Sequence, residues 1–171
     1  GFITLSCPRL YQKVLCLRNH GLLNRDEAAT YGYNSRLDEI HCAIGLEKLK
    51  SFDLITDRFR EIAKRYYAGL NKIVNCPIDK GNEKAVYHNF VITLKERDKL
   101  KKFLEKTGIE TKIHYPILLY NQPANRIHSA NPNKFPVAEK LNKTQLSLPI
   151  YPELRNEQID YVIEKIKLFY A

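Results

Sequence analysis

The stretch ATYGYNSRLDEIHCAIG, residues 29–45, sets tyrosine, glycine, asparagine, serine and arginine directly ahead of an amphipathic helical pattern. A loop that only turns the chain needs fewer aromatic and hydrogen-bonding groups than this. Ser35 offers a hydroxyl cap and Asp38 follows three residues later, which approximates a capping box. Beyond it, Ile40, Ala43, Ile44, Leu49, Phe52, Ile55, Phe59, Ile62, Ala63, Tyr66 and Leu70 recur at steps of three and four. That period predicts one helix over 36–72. Unbroken, it exceeds about 50 Å at roughly 1.5 Å per residue. Such a helix outgrows a small domain and is expected to bridge two, with Gly45 and KSFD at 50–53 as the places for a kink or break.

On the N-terminal side, FITLS at 2–6 is β-rich and predicts a short strand. Pro8 fits the first turn of a helix carrying Leu10, Val14, Leu15 and Leu17 and stopping at Gly21. A lone strand makes no sheet, so residues 1–35 read as the edge of a larger domain. After residue 72 the period changes. CPI at 76–78 is a short extended piece, AVYHNFVITL at 85–94 a strand, RDKLKKFLEKTG at 97–108 a helix ended by Gly108, and IETKIHYPI at 109–117 a second strand stopped by Pro116. YNQPANRIHSANPN at 120–133 is a polar loop, KFPVAEKLNKTQ at 134–145 a helix, and LSLPIYPEL at 146–154 extended. NEQIDYVIEKIKLFY at 156–170 closes the chain as a helix with Ile159, Val162, Ile163 and Ile166 on one side. This order makes residues 73–171 a small α+β unit.

Composition agrees with a packed protein: of 171 residues, 44% are hydrophobic and 27% charged. No apolar run approaches the ~20 residues that span a bilayer. GFITLS lacks the basic flank of a signal peptide. A soluble, cytoplasmic protein is expected. The net charge of +9, from 28 basic against 19 acidic residues, is spread out. Its densest stretch, LKERDKLKKFLEK at 94–106, is interleaved with acids and reads as a solvated helix face, so nucleic acid is not an expected partner. Cys7, Cys16, Cys42 and Cys76 have no C-x-x-C spacing and are expected to be small buried hydrophobes. His20, His41, His88 and His128 lack ligand spacing, and no metal site is expected.

LRNHG at 17–21, GYNSRLDEIHCAIG at 32–45, RFREIAKRYYAGL at 58–70, VYHNFVI at 86–92, GIETKIHYPILLYNQPA at 108–124, FPVAEKLNKTQLSLPIYPEL at 135–154 and EQIDYVIEKI at 157–166 occur in an ordered set. Taken together the set resembles the C-terminal half of the DegT-type (StrS-like) sugar aminotransferases. The resemblance implies the C-terminal portion of a fold-type I transferase dependent on pyridoxal 5′-phosphate (PLP), with an α/β to α+β character. It would consist of a remnant of the large domain at 1–35, the bridging helix at 36–72 and the small α+β domain at 73–171. Family members act as homodimers and pass an amino group, usually from glutamate, to a keto carbon of a nucleotide-linked sugar. Their Schiff-base lysine would lie upstream of Gly1. No catalytic residue is therefore assigned in this chain, and the 171 residues alone are expected neither to retain PLP nor to transaminate. A partner is expected to be a second copy or the N-terminal half. Two other readings stand beside this one: a remnant acting only through protein contacts, and a basic surface binding nucleic acid or an acidic polymer.

The resemblance also implies site residues. Asn34 would reach the PLP phosphate of the neighbouring subunit, a role its amide donors suit; the other reading is a turn residue. Arg36 either joins the phosphate or pairs with acids of its own helix. Tyr33 either lines the site or packs, with packing the favoured reading. His114 and Tyr115, in the HYP segment, would face substrate; the other reading of His114 is a surface histidine. A second histidine common after this motif is absent, and Tyr120 stands near its position.

Overall fold

The computed structural model describes residues 2–124 and 135–171. The chain forms two compact units, Gly1–Ser51 and Phe52–Ala171.

The first unit holds α1 (Pro8–Arg18) and α2 (Glu39–Leu49). Proline stands at the start of α1, as its fixed φ favours. Residues 2–6 form no strand, since no segment among the described residues pairs with them. The loop between the helices doubles back on itself. Asn24 folds its tip: Asn24 Oδ1 accepts the amides of Asp26 and Glu27, both at 2.9 Å. Isolated bridges then join Leu22 to Ala28 and Asn19 to Asn34. Ser35 does not cap α2. Its amide donates to Arg18 O, its carbonyl accepts from Arg18 Nε, and Asp38 occupies the cap position instead. Among the described residues of this unit only Gly21 is buried.

The expected helix over 36–72 is two helices. α2 ends at Leu49, Lys50 and Ser51 form a turn, and α3 (Phe52–Leu70) begins the second unit. The break falls within KSFD, where the Ser51 hydroxyl donates back to the Lys48 carbonyl. Gly45, the other candidate, lies unremarkably inside α2.

The second unit is built on an antiparallel pair, β1 (Phe90–Thr93) and β2 (Gln145–Leu148), in the register Phe90 to Leu148 and Ile92 to Leu146. Each edge adds a single bridge: Asn75 to Thr93 on one side and Lys112 to Ser147 on the other. The strand expected at 109–117 is therefore one bridge, because Pro116 and the turn before it draw the chain off the sheet. α4 (Arg97–Lys106), a 3-10 turn at Leu119–Asn121, α5 (Pro136–Thr144) and α6 (Asn156–Phe169) complete the unit. Gly108 follows α4 at φ +80°, a conformation glycine adopts without strain. Tyr66, Leu70, Phe90, Ile92, Leu100, Leu104, Leu146, Ile159 and Ile166 form one fully buried core from three helices and both strands. The four apolar residues expected on one side of α6 are its buried ones.

Arginines on α3 extend this core outward. Arg58 donates to the carbonyls of Pro152 and Leu154. Arg60 donates to Ala85 O at 2.6 Å and pairs with Asp79. Arg65 Nε meets Asp160 of α6 at 2.7 Å. Backbone donation from Ala85 and the Arg60 guanidinium hold the Asp79 carboxyl below its ordinary range.

Three of the four cysteines depart from expectation. Cys76 is buried, whereas Cys7 and Cys42 are exposed on a unit without a buried apolar side chain among its described residues. Burial pushes the Cys76 thiol up to about 11. In the folded chain, Ellman's reagent is expected to titrate Cys7 and Cys42 promptly and Cys76 only after denaturation. Prompt reaction at Cys76 would place that thiol at the surface. Among the described residues, no helix is long and apolar enough to cross a membrane.

Candidate functional site

Each expected pair of site residues lies within one unit. In the first, the loop that carries Asn34 is fastened to the end of α1 by its backbone. Tyr33 N donates to Leu17 O at 2.7 Å, His20 N to Tyr33 O at 2.9 Å and Ser35 N to Arg18 O at 2.9 Å. Two glycines permit this crossing. A Cβ on Gly32 would stand 2.1 Å from Gly21 N, and one on Gly21 would stand 1.8 Å from Thr30 O. Gly21 also has φ +75°.

Arg36 Nε donates to Asn34 Oδ1 at 3.2 Å, and both side chains are exposed. Arg36 makes no ion pair among the described residues, so it does not join the acids of its helix; Asp38 lies 3.6 Å from His41 instead. With its oxygen occupied, the Asn34 amide presents its two N–H donors beside a permanent cation. A surface that offers donors and positive charge fits a phosphate group, and this donor set therefore fits the cofactor phosphate that the fold family implies. Tyr33 does not pack: 71% of its surface is exposed.

In the second unit His114 and Tyr115 stand where the chain leaves the sheet. A cavity of about 670 Å³ opens there, with Lys112, His114, Ser147, Tyr151 and Gln158 in its wall. His114 and Tyr115 also border a more apolar cavity of about 420 Å³ with Ile117, Leu119 and Leu141. The His114 ring is half-buried, with Nδ1 2.9 Å from Ser147 Oγ, while Tyr115 is 74% exposed. Their rings meet edge to face at 5.5 Å.

Three residues outside the expected set hold this turn. Gln145 Nε2 donates to His114 O at 2.9 Å, and Asn142 Nδ2 donates to Tyr115 O at 2.8 Å and Pro116 O at 3.2 Å. The signal for two of them was the alternation in QLSL: Leu146 and Leu148 enter the core, so Gln145 and Ser147 occupy the other face. Tyr120, near the place of the family's second histidine, donates to Glu139 Oε1 at 2.6 Å and stacks on Phe135 at 5.1 Å. Desolvation, then the bond to Glu139, push its hydroxyl up to about 12, so it remains a neutral donor at neutral pH. His20, His41 and His88 are exposed, and His128 lies outside the described residues.

The sheet and helices match solved structures that make this the C-terminal portion of a fold-type I PLP-dependent transferase. The sequence profile of the DegT/DnrJ/EryC1/StrS aminotransferase family matches residues 1–167, and the chain belongs to that family, whose enzymes depend on PLP. It is 36% identical to the pleiotropic regulatory protein of Geobacillus stearothermophilus, with 99% of this chain and 47% of that protein covered. It is 34% identical to the dTDP-3-amino-3,6-dideoxy-alpha-D-galactopyranose transaminase of Aneurinibacillus thermoaerophilus, over 99% of this chain and 46% of that enzyme. A DegT DnrJ EryC1 StrS aminotransferase from Brucella abortus superposes with a TM-score of 0.90 at 30% identity, covering 97% of this chain and 45% of that one. The chain thus spans about half the length of the curated relatives it matches.

Proposed function

We propose that this chain supplies the small-domain half of a PLP-dependent aminotransferase that moves an amino group from an amino acid, glutamate by family resemblance, to a keto sugar nucleotide. The family match over residues 1–167 carries this reading. PLP, when bound, supplies the electron sink for the exchange. Asn34 Nδ2 donates to the cofactor phosphate of a neighbouring subunit, and Arg36 orients that amide while adding positive charge. His114 Nε2 and the Tyr115 hydroxyl face the substrate, and both suit the oxygen-rich surface of a nucleotide-linked sugar. The chain spans about half the length of its curated relatives and none of its lysines is assigned the cofactor-anchoring role, so the 171 residues alone are not expected to transaminate.

The test fuses the chain behind the N-terminal half of the Aneurinibacillus transaminase and follows glutamate-dependent amination of a dTDP-keto sugar. Activity is expected in the fusion and none in the 171 residues with PLP. Asn34→Ala in the fusion is expected to weaken PLP retention about tenfold, as the loss of one hydrogen bond to a charged group predicts. Turnover by the 171 residues alone would defeat the lysine argument. Undiminished PLP retention in Asn34→Ala would remove that residue from the site.

A further inference from the structure

We propose that Ser147 is a positioning residue that fixes the orientation of His114, and that Asn142 and Gln145 complete a clamp holding the His114–Tyr115–Pro116 turn in one presentation. The clamp is read from hydrogen bonds; its importance for substrate rests on the function proposed above. Ser147 is 5% exposed and sits in the strand that is paired on both sides. It faces Val91 of β1, and on its other side its amide donates to Lys112 O at 2.8 Å while its carbonyl accepts from Lys112 N at 3.2 Å. Its hydroxyl is therefore placed by a strand that is paired on both sides.

That hydroxyl lies 2.9 Å from His114 Nδ1. It donates to a neutral Nδ1 or accepts from a protonated one, so the pair persists in either charge state. An imidazole turned over about its own axis exchanges its two edges. A partner committed to Nδ1 decides which edge is forward and leaves Nε2 as the ring nitrogen without a partner among the described residues. The main chain is held as firmly as the ring. Gln145 takes the carbonyl of residue 114, and Asn142 takes those of residues 115 and 116. Tyr115, whose ring is exposed, takes its direction from this backbone and from the His114 ring that it meets edge to face. Residues 142, 145 and 147 span the end of α5 and β2, so the clamp ties the turn to the core sheet.

The experiment uses the 171-residue chain labelled with 15N-histidine, with the His114 ring nitrogens assigned by their loss in His114→Gln. Ser147→Ala is expected to shift both nitrogens toward the values of a freely exchanging imidazole, with the amide spectrum of β1 and β2 unchanged. Ser147→Thr restores a hydroxyl and is expected to return them. Unmoved ring nitrogens in folded Ser147→Ala overturn the positioning role. Gln145→Ala, at a half-buried site, gives a second test independent of packing around residue 147. Its shifts are expected to be confined to residues 114–116 and the His114 ring, and the absence of such shifts overturns the clamp. Full amination by His114→Gln in the fusion would defeat the substrate role of His114 while leaving the clamp standing.

Discussion

Tyr66→Ala is expected to lower the unfolding free energy of the second unit by about 3–5 kcal/mol, the range for truncating a buried aromatic residue. Tyr66 is fully buried on α3 and packs on Phe90 with ring centroids 5.2 Å apart. Its hydroxyl donates to Pro149 O at 2.9 Å, where β2 passes into the loop that follows. Burial holds the phenol well above its usual range, so it remains a donor throughout the working pH range. The substitution thus opens a cavity between helix and sheet and strips a carbonyl of its partner. Tyr66→Phe separates the two effects: it keeps the ring and is expected to lose only about 1 kcal/mol. Urea unfolding followed by circular dichroism reads both variants. Similar losses in the two would mean that the hydroxyl, not the ring, carries the stability. A loss of several kcal/mol is a large share of the roughly 5–15 kcal/mol of a typical domain, so Tyr66→Ala is expected to be partly unfolded at 37 °C.

Gly32→Ala is expected to open the loop that presents Asn34. The new methyl would meet main-chain atoms of His20 and Gly21, which have no side-chain freedom with which to yield. Overpacking costs about 1–3 kcal/mol and occasionally more, and a collision with backbone belongs at the upper end. Hydrogen exchange is the direct measurement, since the amides of His20, Ala29, Tyr33 and Ser35 all donate within this crossing. Their protection is expected to fall at least tenfold in Gly32→Ala. Gly45→Ala is the control, because a Cβ there meets nothing within 4 Å inside α2. It is expected to be neutral or to stabilise by up to about 1 kcal/mol through helix propensity. Unchanged protection in Gly32→Ala would show that the two glycines do not hold the crossing together.

Local helix signals were the legible part of this fold. Proline at the start of α1, the apolar face of α6 and Gly108 after α4 each act locally, so their signals survive in the chain itself. Features that depend on distant partners were less legible. TKI at 111–113 has the composition of a strand, but pairing is decided by where the turn before Pro116 leads the chain, and only Lys112 bridges. Ser35 and Asp38 have the spacing of a capping box, yet Ser35 is drawn to Arg18, distant in sequence, and the helix starts later. Asn34 and Arg36 could be named from their motif, but their mutual hydrogen bond could not. The alternation in QLSL sets Ser147 apart from the two core leucines, but its pairing with His114, thirty-three positions away, could not be read from the sequence.

Among the described residues, several long side chains that tie helices to loops address the main chain. Arg58 donates to the carbonyls of residues 152 and 154, Arg60 to that of 85, and Tyr66 to that of 149. Every residue type carries a carbonyl, so the loops can exchange side chains without losing their path. Sequence drift is free to act on what the loops display, while a few helix residues preserve the route they follow.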